Sequence, residues 1–206
     1  MPLTDQERAD LEAMSSGQVS DAMEILKLRR SVITGMILLG KPGDKFVGPA
    51  VTLRQVPKTA ADDRDTRMTR HQQVSRKIAQ KGDVVVVDNG GRMDNATWGE
   101  FHGYACKQNG VVGVVIDGGT RDGPEIRASG LPTFVRGLTP VTSKFDMKTA
   151  AINEPVMLGN VEISPGDIIF ADETGIVVVP LAVKDAVLAK ANAIRQAEEA
   201  ERAKVS

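Results

Sequence analysis

The chain has 206 residues, 41% of them apolar, and a formal net charge of -1, a length suited to one domain that buries roughly 70% of its unfolded surface without staples. Near-neutral charge and an aromatic content of 3% argue against a nucleic-acid surface built on bulk charge or base stacking. The single Cys106 excludes an internal disulfide and a cysteine-rich metal cluster. No apolar run approaches the ~18 residues of a membrane span, and residues 1–10 carry no apolar signal region, so the expectation is a cytoplasmic protein bound to neither membrane nor nucleic acid.

Residues 4–14 read as a short amphipathic helix, with Asp5 and Glu7 favouring its N-terminal dipole. Gly17 is expected to end it, and Val19, Ala22, Met23, Ile25 and Leu26 then repeat at helical spacing over 19–28. After a turn-rich connection at 35–43, residues 46–56 read as a strand, with Pro49 confining its first part to an edge or a bulge. The polar stretch 59–67 reads as a solvated loop before a helix predicted over 66–80, in which His71 stands among Arg, Gln and Ser as a surface histidine.

The densest pattern follows. Val84–Asp88 has the apolar character of a strand buried in a parallel sheet, then come Asn89-Gly90-Gly91 and a helix predicted over about 97–109. Residues 111–125 repeat the design: a β-branched run to Asp117, the pair Gly118-Gly119, then Arg121-Asp122 and a helix over 123–129. With a short strand at 133–136, this alternation predicts parallel strands joined by right-handed crossovers. The second half differs. Gly159-Asn160 between apolar runs signals a hairpin within 154–163, and 168–171 and 176–179 are two more strands, so the sheet is expected to be mixed. Residues 183–204 form a long closing helix whose exposed end is expected to pack on a neighbouring subunit.

Ligand sites of α/β folds lie beyond the C-terminal ends of strands, where Glu100, Arg121 and Asp122 fall. Twenty residues separate Glu100 from Arg121, enough for one helix and one strand to bring the chain back to the same sheet edge. Two carboxylates facing one cavity suit Mg²⁺ or Mn²⁺ held partly through water. Arg121 offers a fork for a carboxylate or an enolate oxygen, and backbone N–H groups of Gly99–His102 could hold an anion. Helix capping competes for both acids, since Thr97-x-x-Glu100 and Asp122-x-x-Glu125 have capping patterns. Asp117 is as suited to fixing its turn as to touching a ligand. His102 is either an acid/base or ligand-reading group or a buried structural histidine; Met93, Trp98 and Phe101 read as cavity wall or core.

The segments GDVVVVDNGG and GEFHGYACKQNGVVGVVIDGGTRDGPEI, with QVSDAM and GPAVT before them, resemble the RraA-like family. Within it they are most similar to the class II 4-hydroxy-4-methyl-2-oxoglutarate/4-carboxy-4-hydroxy-2-oxoadipate aldolases, which also decarboxylate oxaloacetate. The resemblance implies a swivelling β/β/α fold with a central mixed sheet flanked by helices, assembled as a homotrimer or homohexamer with sites between subunits. It implies Mg²⁺ (or Mn²⁺) on Asp122, Arg121 on the pyruvyl end of a 2-oxo acid, and Gly99, Phe101 and His102 along the substrate. Glu100 and a glutamate of the adjacent subunit's closing helix, Glu199 or Glu198, would reach the metal through water. Two positions depart from the pattern: Glu100 replaces the usual Asp, and His102 stands where an apolar residue is typical. These leave open a lyase or hydratase of other specificity that uses His102, or a non-enzymatic ribonuclease regulator of the RraA type.

Overall fold

In the run Val84–Val87 all four side chains are sealed from solvent. Alternate residues of a strand face opposite sides of a sheet, and here Val84 and Val86 join one apolar cluster while Val85 and Val87 join a second. A strand buried on both faces needs cover on both, and that requirement sets the layers. The computed structural model describes residues 3–205.

Its strands are β1 (Val32–Ile33), β2 (Ile37–Leu39), β3 (Phe46–Pro57), β4 (Val84–Trp98), β5 (Gly113–Thr120), β6 (Thr133–Leu138), β7 (Met147–Ile152), β8 (Val156–Leu158), β9 (Val161–Ile163), β10 (Ile168–Asp172) and β11 (Gly175–Val179). The main sheet runs β1-β11-β10-β3-β4-β5-β6-β2, with β7 also on β3. Strands β3 to β6 are parallel neighbours and the remaining pairings are antiparallel, so the expected mixed sheet is found. One face is covered by the β8–β9 hairpin through Val156, Leu158, Val161 and Ile163. The other is covered by helical residues Val74, Cys106 and Ile126. Hairpin, sheet and helices are the β/β/α layering.

A third cluster lies at the β10–β11 end, under α1 (Asp5–Glu12), α2 (Ser16–Ile25) and later α6 (Lys184–Val205). There Met14, Val19 and Met23 meet Phe170, Val177, Val187 and Ala191. Gly17 does not end the first helix, which stops at Glu12 with Ala13 as its C-cap; Ser15 then accepts from Gln18 N and starts α2 with Gly17 in the first turn. The last residues of α6, 199–205, are exposed.

The expectation for Pro49 holds locally, and two others need correction. Pro49 sits in a central strand, but residues 46–49 pair only with β10 and pairing to β4 begins at Ala50. The missing N–H therefore falls where one flank of β3 has no partner. The helix over 66–80 shrinks to one α-turn, α3 (His71–Gln73), continued by a π-turn at Val74–Ile78. Residues before it are tied to β7: Thr149 N donates to Met68 O at 3.2 Å, and Arg70 N to Thr149 Oγ1 at 2.8 Å. Finally, β4 does not stop at Asp88. It runs irregularly to Trp98, with Gly90 and Gly91 at φ of 63° and 69° carrying the distortion. The helix expected from 97 thus starts later, as α4 (Glu100–Gln108).

Candidate functional site

Register builds the site. At the ends of β4 and β5, Trp98 pairs with Thr120. Two hydrogen bonds lock that end: Thr120 Oγ1 donates to Trp98 O at 2.9 Å, and Arg121 N donates to the same oxygen at 3.2 Å. Glu100 and Asp122 each follow two residues after this pair, so they leave the sheet side by side. Helix α4, the connection 109–112 and strand β5 account for the twenty residues between Glu100 and Arg121.

Asp122 occupies the left-handed region at φ 59°, ψ 39°, just before α5 (Gly123–Ser129), and makes no side-chain bond to that helix. Its Oδ2 instead accepts from Glu100 N at 3.3 Å and stands 3.3 Å from Arg121 Nε. The carboxylate therefore rests on the positive end of the neighbouring helix α4. Capping of its own helix, the bland alternative for Asp122, is not what the side chain does. The Thr97–Glu100 capping box is absent too: Thr97 lies in β4, and Gly99 holds the N-cap position. Gly99 is required for closeness, since a Cβ there would lie 2.7 Å from Asp122 Oδ2.

These groups open on a cleft of about 370 Å³. Arg67, Arg76, Arg121 and Lys144 line it, against one acidic side chain, Asp122. Its charge suits an anion with more than one negative group. Phe101 stands at the rim, 67% exposed, whereas Glu100 is partly buried and does not line the cleft.

Beneath lie Trp98, His71 and His102, with ring centroids 4.9 Å (Trp98–His102) and 5.3 Å (His71–His102) apart. His71 is buried, not a surface histidine, and its Nε2 is 2.9 Å from Thr97 Oγ1. Burial, aided by His102 and Arg67, pushes its pKa down to about 3. His102 places Nδ1 3.2 Å from Ser75 Oγ. Burial first, then Arg67, Arg76 and Arg121, hold its pKa at about 4. Both imidazoles are neutral at physiological pH. The signal for His71 was the spacing of His71, Val74, Ser75 and Ile78, three of them buried and the last partly so, which the polar neighbours masked.

Asp117 neither ends a strand nor faces the cleft: it is buried within β5 and ion-paired to Arg136 Nε at 2.6 Å. Met93, 41% exposed, does not line the cleft either. On α6, Glu199 accepts from Arg195 Nη1 at 2.7 Å and Glu198 from Gln18 Nε2 at 2.7 Å; neither lines this chain's cleft.

Among the described residues no group of three acidic, histidine or cysteine side chains could enclose a metal. The donor set fits a hard cation that keeps its water. Mg²⁺ is commonly held through one or two carboxylates, with water and substrate oxygens completing the shell, and Asp122 is the one carboxylate on the cleft wall.

Comparison with known proteins identifies the family and the fold. The family model "RraA-like: Aldolase/RraA" matches residues 16–178. A protein of Halalkalibacterium halodurans provisionally named 4-hydroxy-4-methyl-2-oxoglutarate aldolase is 33% identical over 91% of this chain and 83% of its own length. Protein DlpA of Legionella pneumophila is 33% identical over 90% of this chain, which spans only 29% of DlpA. Streptomyces coelicolor RraAS2, described as an unusual member of the RNase ES inhibitor RraA protein family, superposes with a TM-score of 0.86 at 32% identity, covering 98% of each chain. Among the described residues no helix is long and apolar enough to cross a membrane.

Proposed function

The chain belongs to the RraA-like family, and from that premise we propose that it is a divalent-metal-dependent lyase that cleaves a carbon–carbon bond of a small 2-oxo acid through a pyruvate enolate. The observation that carries this reading is the Arg121–Asp122 pair, set together on the wall of a cleft with surplus positive charge. A metal ion on Asp122 would supply Lewis-acid stabilisation of charge developing on the substrate oxygens.

Arg121 binds the pyruvyl end. As the bond to the leaving half breaks, its electron pair moves toward C2, and the Arg121 guanidinium faces the enolate oxygen that results. Such a preorganised donor is worth about 100- to 1,000-fold in rate. In aldol cleavage the leaving half departs as a carbonyl compound after its hydroxyl gives up a proton; in oxaloacetate decarboxylation it departs as CO₂. Both end with protonation of C3 to give pyruvate. The remaining cations, Arg67, Arg76 and Lys144, receive further carboxylates and neutralise the substrate. Glu100, away from the cleft wall, acts through water. Glu199, exposed and held by Arg195, suits the same role toward an adjacent copy in a trimer or hexamer.

The test is release of pyruvate from oxaloacetate and from 4-hydroxy-4-methyl-2-oxoglutarate with Mg²⁺, and its suppression by a chelator. Mg²⁺-independent turnover would remove the metal from the reading. The likeness to RraAS2 supports a second reading, a ribonuclease regulator. It requires that the protein slow RNA cleavage in a purified ribonuclease assay while releasing no pyruvate.

A further inference from the structure

Next to Arg121, the cleft holds a hydrogen-bonding side chain that is neither its carboxylate nor one of its four cations. His102 lines the wall with Trp98 against its ring, and its Nδ1 faces Ser75, a residue with no solvent exposure on the π-turn Val74–Ile78. Asn109 Nδ2 donates to Ser75 O at 3.1 Å and fixes the far side of that residue. One ring nitrogen is thus committed to the protein, and Nε2 is left for the cleft. Arg67, Arg76 and Arg121 leave the cleft rich in donors, and a tautomer with its lone pair on Nε2 complements them. Nδ1–H then donates to Ser75 Oγ. Beside it Trp98 is 2% exposed and its Nε1–H has no partner among the described residues, a buried donor that a ligand can satisfy.

The substrate's carboxylates have four cations to choose from. A ring nitrogen among them that the protein leaves unused has a different task. We propose that His102 is a specificity-determining residue, which accepts a hydrogen bond from an uncharged hydroxyl on the leaving half of the substrate and thereby selects 4-hydroxy-2-oxo acids over their unhydroxylated counterparts. Ser75 is its positioning residue. The inference rests on the lyase reading above, and it concerns recognition, with no proton transfer assigned to His102.

The 206-residue protein with Mg²⁺ is tested by stopped-flow titration with 4-hydroxy-2-oxoglutarate and with 2-oxoglutarate, which differ by that hydroxyl. The chain's only tryptophan, Trp98, lies 4.9 Å from the His102 ring, so its fluorescence reports binding before turnover. The wild type should bind the hydroxylated probe about tenfold more tightly, the worth of one good hydrogen bond. His102→Ala should bring the two dissociation constants together, His102→Gln should restore part of the preference, and Ser75→Ala should reduce it. An equal preference in wild type and His102→Ala overturns the assignment, as does equal binding of both probes by the wild type. If the wild type binds neither probe and yields no pyruvate from oxaloacetate, the lyase reading fails as well, and the two failures are thereby told apart.

Discussion

Asp122 reaches past its own helix to the backbone of Glu100: Oδ2 lies 3.3 Å from that N–H while the Asp122 backbone turns left-handed. Left-handed backbone costs most residues about 1–2 kcal/mol and is best tolerated by glycine, asparagine and aspartate. Asp122→Asn keeps the conformation and the hydrogen bond but removes the charge. It should melt close to the wild type while losing metal-dependent pyruvate release by at least about 100-fold. Asp122→Ala should lose the same activity and about 1 kcal/mol of stability besides. Normal turnover by Asp122→Asn would sink the role given to this carboxylate.

Arg121 separates substrate binding from metal binding. Arg121→Ala should lower kcat/KM for oxaloacetate by about 100- to 1,000-fold, while Mg²⁺ or Mn²⁺ binding, followed by calorimetry, stays near the wild-type value. Arg121→Lys should recover only a fraction, since an ammonium lacks the planar fork.

Gly99 offers a test of geometry alone. Its φ of -159° suits any residue, so Gly99→Ala acts only through the Cβ that would meet Asp122 Oδ2 at 2.7 Å. A protein with unchanged circular dichroism and strongly reduced pyruvate release is expected. Full activity would show that Asp122 can stand elsewhere.

Acid should unfold the protein partly through its histidines. His71 and His102 hold folded pKa values of about 3 and about 4, below the ordinary 6.5. The unfolded chain therefore binds protons that the folded one refuses. Their contribution is complete above pH 6.5 and is lost as pH falls toward 4, at up to about 1.4 kcal/mol per pH unit for each ring. His71→Asn should flatten the fall in melting temperature between pH 6.5 and 4.5, whatever its stability at pH 7. An unchanged slope would mean that His71 is not held neutral.

Cys106 is buried, and burial pushes its thiol up to about 12. The native protein should resist a thiol-specific disulfide reagent at pH 8, and the denatured protein should react with one equivalent at once.

Much of this site was written locally. Valine runs, glycine pairs and charged residues at the following helix starts were enough to place Glu100, Arg121 and Asp122 at one sheet edge. The later course of β4 was not legible. Asn89-Gly90-Gly91 has the composition of a turn, yet the chain there stays in the sheet through an irregular register held by distant partners on β5. His71 was missed for a related reason. Its neighbours in sequence are polar, and the residues that bury it, Trp98 and His102, come from later segments. The two caps expected at Thr97 and Asp122 failed because each side chain bonds to another segment: Thr97 to His71, and Asp122 to α4. Local patterns name the residues; register decides which of them meet.

The third apolar cluster has a bearing on how the protein is made. It joins Met14, Val19 and Met23 near the start of the chain to Phe170, Val177 and Ala191 near its end. During synthesis the parallel strands β3 to β6 can assemble early, but the inner face of α2 must wait until β10 and β11 have cleared the ribosome. For most of translation that face has no native cover and is open to a chaperone. A nascent chain stalled before Ile168 would thus carry a nearly finished cleft on a body that is not yet closed.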